Sequence, residues 1–291
     1  MPSPTLAADT QDALPVFSGD GHEARLLLHC GKPHRDLGLL WLPAMGVAAR
    51  KYRHFAAALA AQGWTVAVHE WRGLGSSNWR AARSCNWGYA ELLRDIAASR
   101  HALATALPEQ RWVLGGHSLG AQLAALAIAR MPSHYAGYAL VGGGHPWWRT
   151  FPGWHRAVLL AAIGWFRTVS AICGYFPGER AGFAGREARG VMRDWSASAG
   201  DGSYRPAHLD FDAETSLRRV ALPALAIRLR SDRYVPPPSL DHLLNKLPLL
   251  QLQRTEIKDS EFAGGRAGHF EWLREPGPVV RRTALWLEEL T

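Results

Sequence analysis

Residues 113–126 read VLGGHSLGAQLAAL, and the fold turns on how this stretch is read. It opens with apolar residues ending at Leu114, runs into glycine, and closes with an alanine- and leucine-rich run of helical character. At the junction stands Gly116-His117-Ser118-Leu119-Gly120, a G-x-S-x-G pattern. A serine at such a strand-to-helix elbow is held with strained backbone angles, and its hydroxyl projects above the sheet edge. Glycine flanks it because a Cβ there would collide with the neighbouring strand and helix. The same five residues also arise by chance in glycine-rich turns, so context decides.

That context is an alternation of apolar runs and helical patterns. HEARLLLHC and LGLLWLP read as strands, RKYRHFAAALAAQG as a helix stopping near Gly63, and WTVAVHEW as a strand entering the glycine-rich turn RGLGSS. Trp87 to Leu107 reads as a long helix, RWVLGG as the strand before the elbow, Leu119 to Met131 as the helix after it, and YALVGGG as the next strand. LPALAIRLR and LLQLQRTEI supply two more strands, before a final helix from Val279 to Leu290. This order predicts an α/β fold, a mostly parallel sheet with helices on both faces.

Composition narrows the class. With 47% hydrophobic and 20% charged residues in a chain of 291, the sequence is globular and long enough for a sizeable core. The net charge of +8 is spread along the chain, which argues against a nucleic-acid partner and permits only weak peripheral contact with an anionic membrane surface. Cys30, Cys85 and Cys173 are far apart and odd in number, so neither a disulfide framework nor a zinc site is indicated. A reducing, cytoplasmic setting is the simpler expectation. The N-terminal MPSPTLAADTQDALP lacks the basic and apolar regions of a signal peptide and reads as a frayed tail. The most apolar segment, Ala157 to Cys173, is short for a membrane span and carries Arg167 inside it, so it reads as a buried or surface-covering helix.

One interval breaks the alternation. From His145 to Thr215 there is no clear strand, and five of the thirteen tryptophans stand there: Trp147, Trp148, Trp154, Trp165 and Trp195. Phe151, Phe166, Phe176 and Phe183 join them. Residues 145–215 therefore read as a helical lid inserted between two parts of one core, 1–144 and 216–291. Large aromatics usually serve packing, but this density predicts an apolar wall. Trp147 and Trp148 directly follow the strand YALVGGG, which makes them the expected substrate-binding pair.

A nucleophilic serine needs a base, and the base needs an acid to hold its tautomer. On a sheet with this order the carboxylate and then the histidine follow the serine in the chain. Only His242 and His269 lie after the penultimate strand. His242 sits in the helical pattern PPPSLDHLLNKL, whereas His269 lies in the glycine loop GGRAGHFEWL directly after the last strand. His269 is thus the candidate base. Asp232, which follows LPALAIRLR and begins the turn SDRYVPPPS, is the candidate acid at a strand's C-terminal edge.

These stretches, from LWLPAMGVAARKYRHFAAALAAQGWTVAVHEWRGLGSS through GGHSLGAQLAAL and SDRYVPP to AGHFEW, resemble the α/β-hydrolases. Within that superfamily the chain is similar to the serine aminopeptidase and monoacylglycerol-lipase-like group, including its bacterial members known only as predicted α/β-hydrolases. The resemblance implies a triad of Ser118, Asp232 and His269, with an oxyanion hole from the backbone N–H groups of Leu119 and of Met45, in the loop after the third strand. Two positions depart from the pattern: Pro43-Ala44 replaces the usual His-Gly before the second donor, and Glu70-Trp71 stands where aspartate is common.

The implied reaction is two-step acyl transfer without metal or organic cofactor. An apolar lid favours an ester or thioester with a hydrophobic acyl chain, a small-molecule substrate. An aminopeptidase would want a lid carboxylate for the free amine, and Glu179, Glu187 and Asp194 are available. Acyl transfer to an alcohol or amine uses the same triad, and a non-catalytic binding protein on this fold is the remaining alternative. The oligomeric state is not encoded in any pattern found.

Overall fold

A computed structural model describes residues 12–32, 35–181 and 185–291. Phe183 and the first eleven residues of the expected tail lie outside the described residues. The rest of that tail is ordered: Asp12–Phe17 forms strand β1, paired antiparallel with β2, Glu23–His29. The other strands are β3 (Leu37–Leu42), β4 (Thr65–Val68), β5 (Arg111–His117), β6 (Gly137–Val141), β7 (Tyr175–Pro177), β8 (Arg186–Ala188), β9 (Pro223–Leu229) and β10 (Gln251–Ile257). The helices are α1 (Arg53–Ala60), α2 (Tyr89–Ala106), α3 (Leu119–Arg130), α4 (His155–Cys173), α5 (Gly178–Ala181), α6 (Arg189–Asp201), α7 (Ala213–Leu217), α8 (Pro237–Leu244) and α9 (Gly277–Glu288).

Eight strands make one sheet in the order β1-β2-β4-β3-β5-β6-β9-β10. Pairing from β4 to β10 is parallel throughout, and only the β1–β2 and β2–β4 ladders are antiparallel. β3 and β4 are buried along their whole lengths, as expected of strands covered on both faces. One face packs under α1 and α9 through Trp41, Tyr52, Phe55 and Trp272, and the other under α2, α3 and α8. β3 and β5 are neighbours, yet the chain leaves β3 for α1 on one face and leaves β5 for α3 on the other. Their C-terminal ends therefore flank the crevice where open α/β sheets bind ligands.

The segment between β6 and β9 is not free of strands. β7 and β8 form a two-stranded antiparallel ribbon of their own, three residues each. Strands this short, one of them containing Pro177, leave no alternation to read. Phe166, Phe176 and Met192 build a small core within the segment, separate from the two that flank the sheet.

The junction between β5 and α3 is the tightest point of the fold. A Cβ on Gly120 would lie 2.1 Å from the Leu42 carbonyl oxygen, and one on Gly116 would lie 2.3 Å from the Gly120 carbonyl carbon. Between them Ser118 holds φ at 56°, one of two non-glycine residues in positive φ among those described. Gly120→Ala should therefore cost about 3 kcal/mol or more, since backbone and not a flexible side chain stands in the way. Chemical denaturation checks this; a variant within about 0.5 kcal/mol of wild type would mean that the junction relaxes freely.

Candidate active site

Ser118, partly exposed at the end of β5, opens on a cavity of about 390 Å³ whose walls include Met45, Leu119 and His269. His269 Nδ1 lies 2.7 Å from Asp232 Oδ2. The other Asp232 oxygen accepts the N–H groups of Tyr234 at 2.8 Å and Val235 at 3.0 Å. With both oxygens engaged and only 8% of its surface exposed, Asp232 stays fixed against the imidazole. Gly142, at the end of β6 with φ of 52°, backs this pair, and a Cβ there would come 3.1 Å from Asp232 Oδ2.

The loop carrying His269 is tied to the loop carrying Asp232. Ser231 N–H donates to the Ala267 carbonyl at 3.0 Å, and Asp259 accepts both the Ala267 N–H at 2.7 Å and the Ser231 hydroxyl at 2.9 Å. These bonds hold the Asp259 carboxyl below its ordinary range, the Ala267 N–H first among the causes. Asp259 is a positioning residue that the sequence did not mark, because its distance from His269 in the chain carries no motif.

The loop after β3 is clamped at three places. Trp71 Nε1 donates to the Pro43 carbonyl at 2.9 Å, the Ala44 N–H donates to the Tyr52 hydroxyl at 2.8 Å, and the Ala49 N–H donates to Glu70 Oε1 at 3.1 Å. Glu70-Trp71, a departure from the family pattern, thus secures the loop that carries the other departure, Pro43-Ala44. Among the described residues, no protein group accepts the N–H of Met45 or that of Leu119, and both residues wall the cavity. Two unclaimed amides on residues that wall one cavity are of the kind that receives a developing oxyanion.

The other histidines are occupied elsewhere. The Tyr52 hydroxyl accepts from Ala44 and is hydrogen-bonded to His117 Nδ1, 2.8 Å away. His117 is fully buried, its ring 4.6 Å from that of His269, and burial above all holds its pKa well below the usual value. A neutral His117 therefore packs beneath His269 instead of titrating beside it. His242, on α8, contacts the Gly202 carbonyl through Nε2 at 2.8 Å.

Trp147 and Trp148 do not wall the cavity. Gly144 and Pro146 after β6 still line the cavity, but Trp147 packs on Gly202 and His242, and Trp148 Nε1 donates to the Gly200 carbonyl at 3.1 Å. The apolar wall comes from further along, from Phe151 just before α4, from Leu159, Ala162 and Phe166 within α4, and from Trp195 on α6. Trp154 faces solvent, 69% exposed. The spacing of Leu159, Ala162 and Phe166 on one helical face was the available signal. Gln122, Arg233 and Tyr234, also in the walls, carried none. Among the described residues, no group of three or more His, Cys, Asp or Glu side chains could hold a metal ion.

Residues 38–173 match the family described as Serine aminopeptidase, S33. No curated protein matches the chain by sequence. Similar solved structures include a thermophilic esterase from Thermogutta terrifontis, 17% identical with TM-score 0.65 over 96% of this chain and 99% of that one. A metagenome-derived lipolytic enzyme described with LipS and LipT is also 17% identical, with TM-score 0.62 over 98% and 100% of the two chains. An enol-lactonase from Burkholderia xenovorans LB400 is 14% identical, with TM-score 0.61 over 94% and 99%. At these identities the likeness is one of fold. Sheet order, the serine elbow between β5 and α3, and the likeness to these structures together give the chain the α/β-hydrolase fold.

Proposed function

We propose that this hydrolase cleaves esters or thioesters with an apolar acyl group through an acyl-enzyme on Ser118. The observation that carries the reading is the strained Ser118 in the wall of a cavity shared with His269, whose far nitrogen is held by Asp232. In this mechanism His269 Nε2 takes the Ser118 proton as the hydroxyl attacks the carbonyl carbon, and the N–H groups of Leu119 and Met45 receive the oxyanion. His269 then returns the proton to the departing alcohol or thiol. Water, deprotonated by the same imidazole, attacks the acyl-enzyme and releases the acid. The apolar walls from α4 and α6 exclude water and hold the acyl chain, so residues 145–215 act as a lid.

The aminopeptidase reading is less well supported. No Asp or Glu is among the cavity's walls, so a free amine would find no carboxylate there. Asp194 is buried and accepts the Tyr89 N–H at 2.9 Å, at the first turn of α2. Glu187 is buried on β8, where desolvation raises its pKa to about 7 although the N–H groups of Gly185 and Gly46 favour its charged form. Glu179, on α5, lies outside the walls.

Ser118→Ala should lower kcat on the order of 10⁴-fold or more with the fold intact, and should abolish covalent labelling by a fluorophosphonate. Labelling retained at another residue would assign the nucleophile elsewhere. His269→Gln should be equally silent while His242→Gln keeps turnover.

Across p-nitrophenyl esters from acetyl to dodecanoyl, kcat/KM should rise by up to about 0.8 kcal/mol per methylene until the cavity is full. Ala162→Phe, which fills the wall, should move the optimum to shorter chains. A profile falling steadily from acetyl would remove the apolar-acyl reading.

Glu187 gives a separate signature in stability. Its folded pKa lies above the ordinary 4.5, so the folded state holds a proton that the unfolded state releases. That contribution is complete below pH 4.5 and is lost as pH rises to about 7, on the order of 3 kcal/mol in all. Glu187→Gln should flatten this slope in urea denaturation at pH 5, 6, 7 and 8. An unchanged slope would show that Glu187 is not the group responsible.

A further inference from the structure

α4 presents two different apolar faces. Leu159, Ala162, Ile163 and Phe166 turn inward, toward the cavity and α6, whereas Trp154, Val158, Trp165 and Ile172 form a stripe along its outer edge with exposures of 69, 52, 47 and 67%. At i, i+4, i+11 and i+18, these four residues fall on one side of a 3.6-residue helix. Leu160 adds another exposed apolar side chain, and the helix has a mean hydropathy of 1.4. Soluble surfaces rarely carry such a run without a partner.

The charge around this stripe selects the partner. Residues 145–178 contain Arg149, Arg156 and Arg167 and no Asp or Glu. All three arginines are exposed, and Arg83, also exposed, donates to the Ile172 carbonyl at the end of the helix. A purely apolar stripe would serve a second copy of the chain equally well, but an acid-free, arginine-bearing surround is complementary to anionic headgroups. The inner face of α4 packs on α6 and β7, which leaves the helix free to lie along a membrane surface but not to span one. Val158 belongs to both the exposed stripe and the cavity wall, which makes the stripe continuous with the cavity.

We propose that the outer edge of α4 docks the protein onto an anionic phospholipid surface, with Trp154, Leu160 and Ile172 inserted among the acyl chains and Arg167 on the headgroups. Docked in this way, the cavity mouth opens onto the bilayer along Val158, and a lipid ester reaches Ser118 without crossing water. Only this last step rests on the hydrolase reading.

The test separates the two. Ser118→Ala protein should co-sediment with vesicles of phosphatidylglycerol and phosphatidylcholine at least about tenfold more than with pure phosphatidylcholine at low salt, and Trp fluorescence should shift to the blue. Trp154→Ser/Leu160→Ser/Ile172→Ser should cut binding about tenfold while leaving hydrolysis of a soluble short ester unchanged. Arg167→Gln should weaken binding to the anionic vesicles on the order of fivefold. Leu285→Ser, which removes an even more exposed leucine from α9, should change nothing. Absence of binding, binding indifferent to the triple variant, or a wild-type dimer that this variant turns into a monomer would each overturn the proposal. Vesicle binding by a protein that hydrolyses no ester would leave docking intact and overturn the hydrolase reading alone.

Discussion

The approach of α3 to the end of β3 governs this molecule. Gly120 leaves no room for a side chain against the Leu42 carbonyl, and Gly116 leaves none against Gly120. Because the backbones meet there, the turn between β5 and α3 must be sharp, and Ser118 takes up the strain. The same approach brings the loop after β3 beside the first turn of α3. Two amides from different parts of the chain thereby share one cavity, and everything else at the site is arranged around that meeting.

The loop after β3 illustrates how a departure from a family pattern is accommodated. Pro43-Ala44 offers no side chain with which to anchor itself, so the anchors come from outside: an indole, a phenol and a carboxylate bind its backbone in turn. The phenol does double duty, since Tyr52 also hydrogen-bonds the imidazole on which His269 rests. The hydrogen bond between Tyr52 and His117 and the ring contact of His117 with His269 thus link the loop after β3 to the loop after β10. Loss of the Tyr52 hydroxyl would leave the Ala44 N–H and His117 Nδ1 unpaired, and an unpaired polar group at this depth costs about 1–3 kcal/mol.

Much of the fold was legible because strands buried on both faces are continuous apolar runs, as LGLLWLP and RWVLGG are, and helices carry a longer period. β1 escaped notice because it is an edge strand containing Pro15, with a single flank of pairing. Ser118, Asp232 and His269 could be picked out because chain order on such a sheet fixes which strand end carries which group, and the geometry brings Asp232 and His269 to hydrogen-bond distance. The walls could not be found by adjacency. Trp147 and Trp148 follow β6 closely in sequence, yet they pack toward Gly202, His242 and Gly200, and Phe151 with side chains of α4 and α6 takes their place. Asp259 and Tyr52 were invisible for a related reason: side chains that position others leave no spacing rule behind.

The segment above the sheet owns a core of its own, in which Phe166, Phe176 and Met192 pack with Ala162, Val169 and Trp195. Its ribbon of β7 and β8 pairs with no strand of the main sheet. Ala188 and Val191 of the same segment belong instead to the core under α2 and α3, so the segment is divided between packing of its own and packing shared with the sheet. Side chains around Phe166 and Phe176 can therefore be exchanged, reshaping the cavity's wall, at less cost to the sheet than those on the buried side of β8 and α6.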